Sequence, residues 1–143
     1  MRIYVLALNE VFDSGLTTLL DTFGMANDLA ESAGTTSARF DVTVVGVGSR
    51  VYTRHGLLVP VRSAARLPRP DVVLVPALAA TMPDTLRIAL DRRDIRDAHT
   101  LLRRWSGSGA LVGAACTGTF VLAGSMAPLR GRLRWMSSGN TLK

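Results

Sequence analysis

The chain has 143 residues, enough for one domain with a real core, and its 48% hydrophobic and 20% charged content excludes a disordered chain. No apolar run reaches the roughly 20 residues that span a bilayer, and the N-terminus lacks the layout of a secretory signal. The net charge of +6 comes from arginines scattered along the chain, Lys143 being the only lysine; with 6% aromatic residues and no zinc finger or helix-turn-helix pair, solvated arginine faces account for it better than a nucleic-acid surface.

Arg2-Ile3-Tyr4-Val5-Leu6-Ala7-Leu8 reads as a first strand, and Phe12-Asp13-Ser14-Gly15 as a turn after it. The helix that follows carries Leu16, Leu19, Leu20, Phe23, Ala26 and Ala30 on one face and ends at Gly34-Thr35-Thr36-Ser37. Phe40 to Val47 is rich in β-branched residues and reads as a second strand. Val51-Tyr52-Thr53 and Leu57-Leu58-Val59-Pro60 flank Arg54-His55-Gly56 as a short hairpin. Asp71 to Pro76 is a continuous apolar run, as buried parallel strands have.

Thr81-Met82-Pro83-Asp84 predicts a helix start, with a short helix from Pro83 to Leu90. A second helix from about Asp94 places Ile95, Ala98, Leu102 and Trp105 on one side, and Gly107-Ser108-Gly109 stops it. Strands alternating with helices imply an α/β fold, a three-layer sandwich around a largely parallel sheet. In such sheets, sites lie beyond the carboxyl ends of the strands. The Asn9-to-Asp13 loop, the Pro76-Ala77-Leu78 loop and Cys116 all fall at such ends.

Cys116 is the single cysteine, so no internal disulfide forms and the chain suits a reducing cytoplasm. Around it, Ala110-Leu111-Val112-Gly113-Ala114-Ala115-Cys116-Thr117-Gly118-Thr119-Phe120 has the grammar of a nucleophile elbow. A buried strand turns sharply into a helix and presents one side chain at the turn. A helix N-terminus favours a thiolate, while an inert core cysteine is the alternative. No Cys/His cluster has metal-ligand spacing, so neither metal nor cofactor is expected.

The segment from Gly113 to Ala123 closely resembles the DJ-1/PfpI superfamily, also called class I glutamine amidotransferase-like. More narrowly it resembles the sensory domain of AraC-type regulators, which precedes a helix-turn-helix domain. Phe12 through Phe23 with Ala26-Asn27, and Asp71 to Pro76, agree with it, so the likeness covers most of residues 2 to 123. The resemblance implies a flavodoxin-like, DJ-1-like fold and a homodimer. It also implies a small-molecule effector bound near Cys116, Thr117, Asp13, Ala77 and Leu78, and DNA contact only through a separate C-terminal domain.

Enzymes of the superfamily pair the elbow cysteine with a following histidine, an acidic residue near the first helix and a glycine-rich oxyanion loop. Here Thr117 follows Cys116, Ala77-Leu78 stands in the loop, and alignment on Asp21-Thr22-Phe23 puts Gly15 at the acidic position. The two histidines, His55 and His99, read as surface residues. An enzyme would need Cys116 as nucleophile with Asp13 or Glu10 handling the proton. A scaffold whose elbow serves packing alone is the third reading. Ser125 to Leu133 and Ser138 to Leu142 resemble later regulator segments, and the resemblance implies a further loop and strand between Gly124 and Ser125. Without them, an inner strand edge is expected to lie open.

Overall fold

The computed structural model describes residues 1–35 and 39–126. The carboxy-terminal segments of the resemblance, Ser125 to Leu133 beyond Met126 and Ser138 to Leu142, lie outside these, as do Thr36-Ser37 and the Arg130/Arg132/Arg134 group. The elements follow in the order β1 (Arg2–Leu6), α1 (Asp13–Ser32), β2 (Asp41–Gly46), β3 (Arg50–Tyr52), β4 (Leu58–Pro60), β5 (Arg62–Ser63), a 3-10 turn (Ala64–Arg66), β6 (Val72–Val75), α2 (Pro83–Leu90), α3 (Arg93–Gly107), β7 (Leu111–Ala114) and α4 (Gly118–Met126).

Five strands form one parallel sheet in the order β5-β2-β1-β6-β7, and β3 and β4 make a separate antiparallel hairpin. Successive side chains of a strand point to opposite faces. Accordingly, Tyr4, Leu6 and Leu8 pack with Val73 and Val75 against Ile95, Ala98, Leu102, Trp105 and Val121 from α3 and α4. Val5 and Ala7 pack on the other face with Leu16, Leu19 and Leu20 of α1. Two cores on two faces of one sheet make the three layers that the alternation of elements implies.

Several expectations hold to the residue. α2 spans Pro83–Leu90, and the buried residues of α3 are Ile95, Ala98, Leu102 and Trp105. Others need correction. Asp13-Ser14-Gly15 is the first turn of α1 rather than a turn before it, and only Phe12 stands outside as the extended N-cap residue. No side chain caps that end, so the usual sequence signal for a helix start is absent; Asp13 in the first turn suits the positive end of the helix instead. β5, a two-residue edge strand, has no sequence signal at all.

α4 runs from Gly118 to Met126, and the Ser125 hydroxyl donates to the Leu122 carbonyl at 2.6 Å. On the outer edge of β7, no strand of the described residues pairs, and Leu111 is 73% exposed.

Candidate functional site

The strand order reverses between β1 and β6, so a switch point lies at their carboxyl ends, where the connections diverge to opposite sides of the sheet. Two loops flank it and are stitched together. Phe12 N donates to Ala77 O at 2.9 Å, Ala79 N donates to Glu10 O at 2.8 Å, and Val11 bridges both Leu78 and Thr53. The hairpin therefore joins the same end of the sheet, with Arg54 N donating to Val11 O at 3.0 Å.

The elbow stands one strand further along. Ala115 N donates to Val75 O at 3.0 Å, so pairing with β6 continues one residue past β7. The next residue, Cys116, adopts φ of 50°, in the left-handed region that costs a non-glycine residue about 1–2 kcal/mol. This reverses the chain, and α4 begins at Gly118. A Cβ on Gly118 would sit 2.5 Å from Pro76 O and 2.6 Å from Val75 O, so only glycine lets the helix start this close to β6. The Cys116 carbonyl accepts from Thr119 N at 3.0 Å and Thr119 Oγ1 at 2.6 Å, while the residue itself is exposed. A strained, exposed side chain on a strand-to-helix turn has the geometry of a nucleophile elbow.

Thr117, Ala77 and Leu78 come together here: the Thr117 hydroxyl donates to Leu78 O at 2.6 Å. Gly15 faces the same loop: a Cβ on it would lie 3.8 Å from both Ala77 Cβ and Ala77 N and 3.6 Å from Phe12 Cβ. Where the enzymes of the resemblance carry an acid, this chain has a residue without a side chain. The nearby carboxylates are engaged elsewhere. Asp13 accepts from the Thr53 hydroxyl at 2.5 Å and pairs with His55 Nδ1 at 2.9 Å. The Thr53 hydrogen bond foremost, then that of His55, holds the Asp13 carboxyl below its ordinary value, outweighing desolvation. Glu10, itself at φ of 60°, pairs with Arg92 at 2.7 Å.

Of the two histidines expected at the surface, His55 is there and His99 is not. His55 is exposed, yet its ring is fixed by Asp13. His99 packs under α4, where its Cε1 and Nε2 lie 2.8 and 2.9 Å from where a Cβ on Gly124 would sit, and its Nε2 is buried without a partner among the described residues. Burial first, then the Arg103 charge, pushes its pKa below the ordinary value. Arg92 also departs from a solvated arginine face. Its guanidinium donates to both Asp94 carboxylate oxygens at 3.0 Å and to Asn9 O at 2.7 Å, in addition to Glu10.

Two cavities flank the Glu10–Arg92 pair. One, of about 540 Å³, lies over the ends of β1 and β2 between Leu8, Val51 and Asp94; the other, of about 490 Å³, lies between Arg54, Ala80, Met82 and Ile88. Cys116, Thr117, Asp13, Ala77 and Leu78 line neither. Sequence reasoning missed Thr53, Arg54 and Arg92; only the local density of Arg92-Arg93 hinted at the last. Among the described residues, no group of three or more His, Cys, Asp or Glu could hold a metal ion, and no helix is long and apolar enough to cross a membrane.

The architecture matches solved structures closely enough to fix its type. An AraC family transcriptional regulator from Pseudomonas putida superposes with a TM-score of 0.67 at 20% identity, covering 88% of this chain and 61% of that one. Drosophila melanogaster DJ-1beta superposes with a TM-score of 0.60 at 21% identity, covering 87% of this chain and 59% of that one. The chain has the DJ-1/PfpI fold. A two-domain protein from Anabaena variabilis containing DJ-1/ThiJ/PfpI-like and ferritin-like domains agrees, with a TM-score of 0.54 at 20% identity, covering 87% of this chain and 32% of that one. No protein-family model matches the sequence, and no curated protein is significantly similar to it. The chain thus spans about three-fifths of the regulator and of DJ-1beta. The DJ-1/PfpI fold fits both a regulator's sensing domain and a DJ-1-type enzyme, so the site must discriminate.

Proposed function

We propose that this chain is the ligand-sensing and dimerising module of an AraC-type transcriptional regulator, acting in the cytoplasm as a homodimer. DNA binding resides in a separate domain, and a small effector bound beside the elbow, at Cys116, Thr117, Asp13, Ala77 and Leu78, biases that domain. The observation that carries this reading is Gly15 packed beside Ala77, a residue with no side chain where a proton-handling acid would be needed. Asp13 is hydrogen-bonded to Thr53 and His55, and Glu10 is paired with Arg92. The elbow geometry is retained while both nearby carboxylates are engaged with other side chains, which suits binding better than turnover.

The test is a small-metabolite panel on the natural gene product, read by thermal shift and by DNA affinity. The reading expects a compound that stabilises the protein, changes DNA affinity, and acts differently on Cys116→Ala. Turnover of such a compound that depends on Cys116 would contradict it.

One observation favours a cysteine-dependent hydrolase, hydratase or glyoxalase-like enzyme as the second reading. His55 is oriented by Asp13 at 2.9 Å, as a general base is in nucleophilic catalysis. That reading needs His55 to reach the thiol. It expects iodoacetamide to alkylate Cys116 at least about tenfold faster in the parent than in His55→Ala near neutral pH. Equal rates remove it.

A further inference from the structure

The cavity of about 490 Å³ falls within the 300–1,000 Å³ typical of small-molecule sites and carries two unlike guanidinium groups. Arg92 is met by the Glu10 and Asp94 carboxylates. Arg54 is not: among the described residues no carboxylate lies within 4.0 Å of it, and its guanidinium makes one long bond, Nη1 to Ala79 O at 3.3 Å. A guanidinium carries five donors in a planar fork, so most of the fork remains open to a planar anion.

Thr81 and Thr85 add hydroxyls to the lining, and the rest of it is apolar. Ala80 and Ala89 are 7% and 3% exposed and form a closed floor, while Met82 and Ile88 leave 64% and 65% of their surface uncovered beside it. An open cation next to uncovered apolar wall is complementary to a molecule with one anionic end and one aliphatic end. Glu10 lines the same cavity and makes a second negative charge on the ligand unfavourable near Arg92.

We propose that this cavity binds a small aliphatic monocarboxylate, its carboxylate on Arg54 and its chain over Ala80, Met82 and Ile88. The site is distinct from the elbow and does not depend on whether the chain serves a regulator or an enzyme.

Titration calorimetry of the full chain with straight-chain carboxylates from acetate to octanoate tests it. Affinity rises about fourfold per added CH₂ until the cavity is filled. The matching primary amides do not bind, because they lack the charge that Arg54 recognises. Arg54→Gln weakens binding at least about tenfold, and Ile88→Asp weakens it independently by placing a carboxylate on the apolar wall. Cys116→Ala binds as the parent does. Absence of binding, amides equal to acids, or parental affinity in both Arg54→Gln and Ile88→Asp overturns the proposal.

Discussion

The Thr117 hydroxyl donates to the Leu78 carbonyl at 2.6 Å, tying the residue after the elbow cysteine to the loop that follows β6. That bond closes one side of the turn, and the near contact of Gly118 with Pro76 and Val75 closes the other. The elbow is therefore fixed by packing against β6 and not by anything the thiol does. Replacing the thiol should test this. Cys116→Ala is expected to keep the circular dichroism spectrum and denaturation midpoint of the parent, since the residue is exposed. Cys116→Gly is expected to be more stable than Cys116→Ala by about 1 kcal/mol, because glycine adopts a φ of 50° without strain.

Gly118 gives the converse result. A methyl group there would overlap two backbone oxygens that cannot move without displacing β6, so Gly118→Ala should lower stability by about 2–3 kcal/mol in urea unfolding. Gly24 is the control. It lies in α1 with nothing within 4 Å of its Cβ position, and Gly24→Ala should raise stability by about 0.5–1 kcal/mol.

Two titrations mark opposite sides of the sheet. His99 has a pKa held below its ordinary 6.5 by burial between α3 and α4, so the unfolded chain takes up the proton more readily than the folded one. Its contribution is present in full above pH 6.5 and is lost as pH falls from there through the lower folded value. The denaturation midpoint should drop from pH 7.5 to 5.5, and His99→Gln should flatten that part of the profile.

Asp13 acts at lower pH. Its folded pKa lies below the ordinary 3.8, chiefly through the Thr53 hydroxyl, so its stabilisation is complete above 3.8 and disappears as pH falls through the folded value. Asp13→Asn should remove this second acid-dependent drop. Thr53→Val, which keeps the shape and deletes the donor, should shift it toward higher pH.

What could be read from the sequence follows from how local each signal is. Pro83 and the 3–4 spacing of Ile95, Ala98, Leu102 and Trp105 act within one helix, and both helices stand where the pattern puts them. The apolar runs of β1 and β6 likewise announce buried parallel strands. The start of α1 was not legible because Phe12 offers no capping side chain. The Asp13–His55 pair joins residues 42 apart in sequence through the fold of the hairpin over β1, and no local pattern carries that. The same holds for Arg92, whose partners Glu10 and Asn9 lie more than 80 residues away. The elbow was legible because its glycines and small residues are contiguous; the engagement of nearby carboxylates was not.

The central claim, a sensing module serving a separate DNA-binding domain, is tested most directly by the intact mass of the natural gene product isolated from its own cells. The account predicts a mass well above 15.3 kDa, with room for a further domain of roughly 100 residues. A product of 15.3 kDa would carry no such domain and would contradict it.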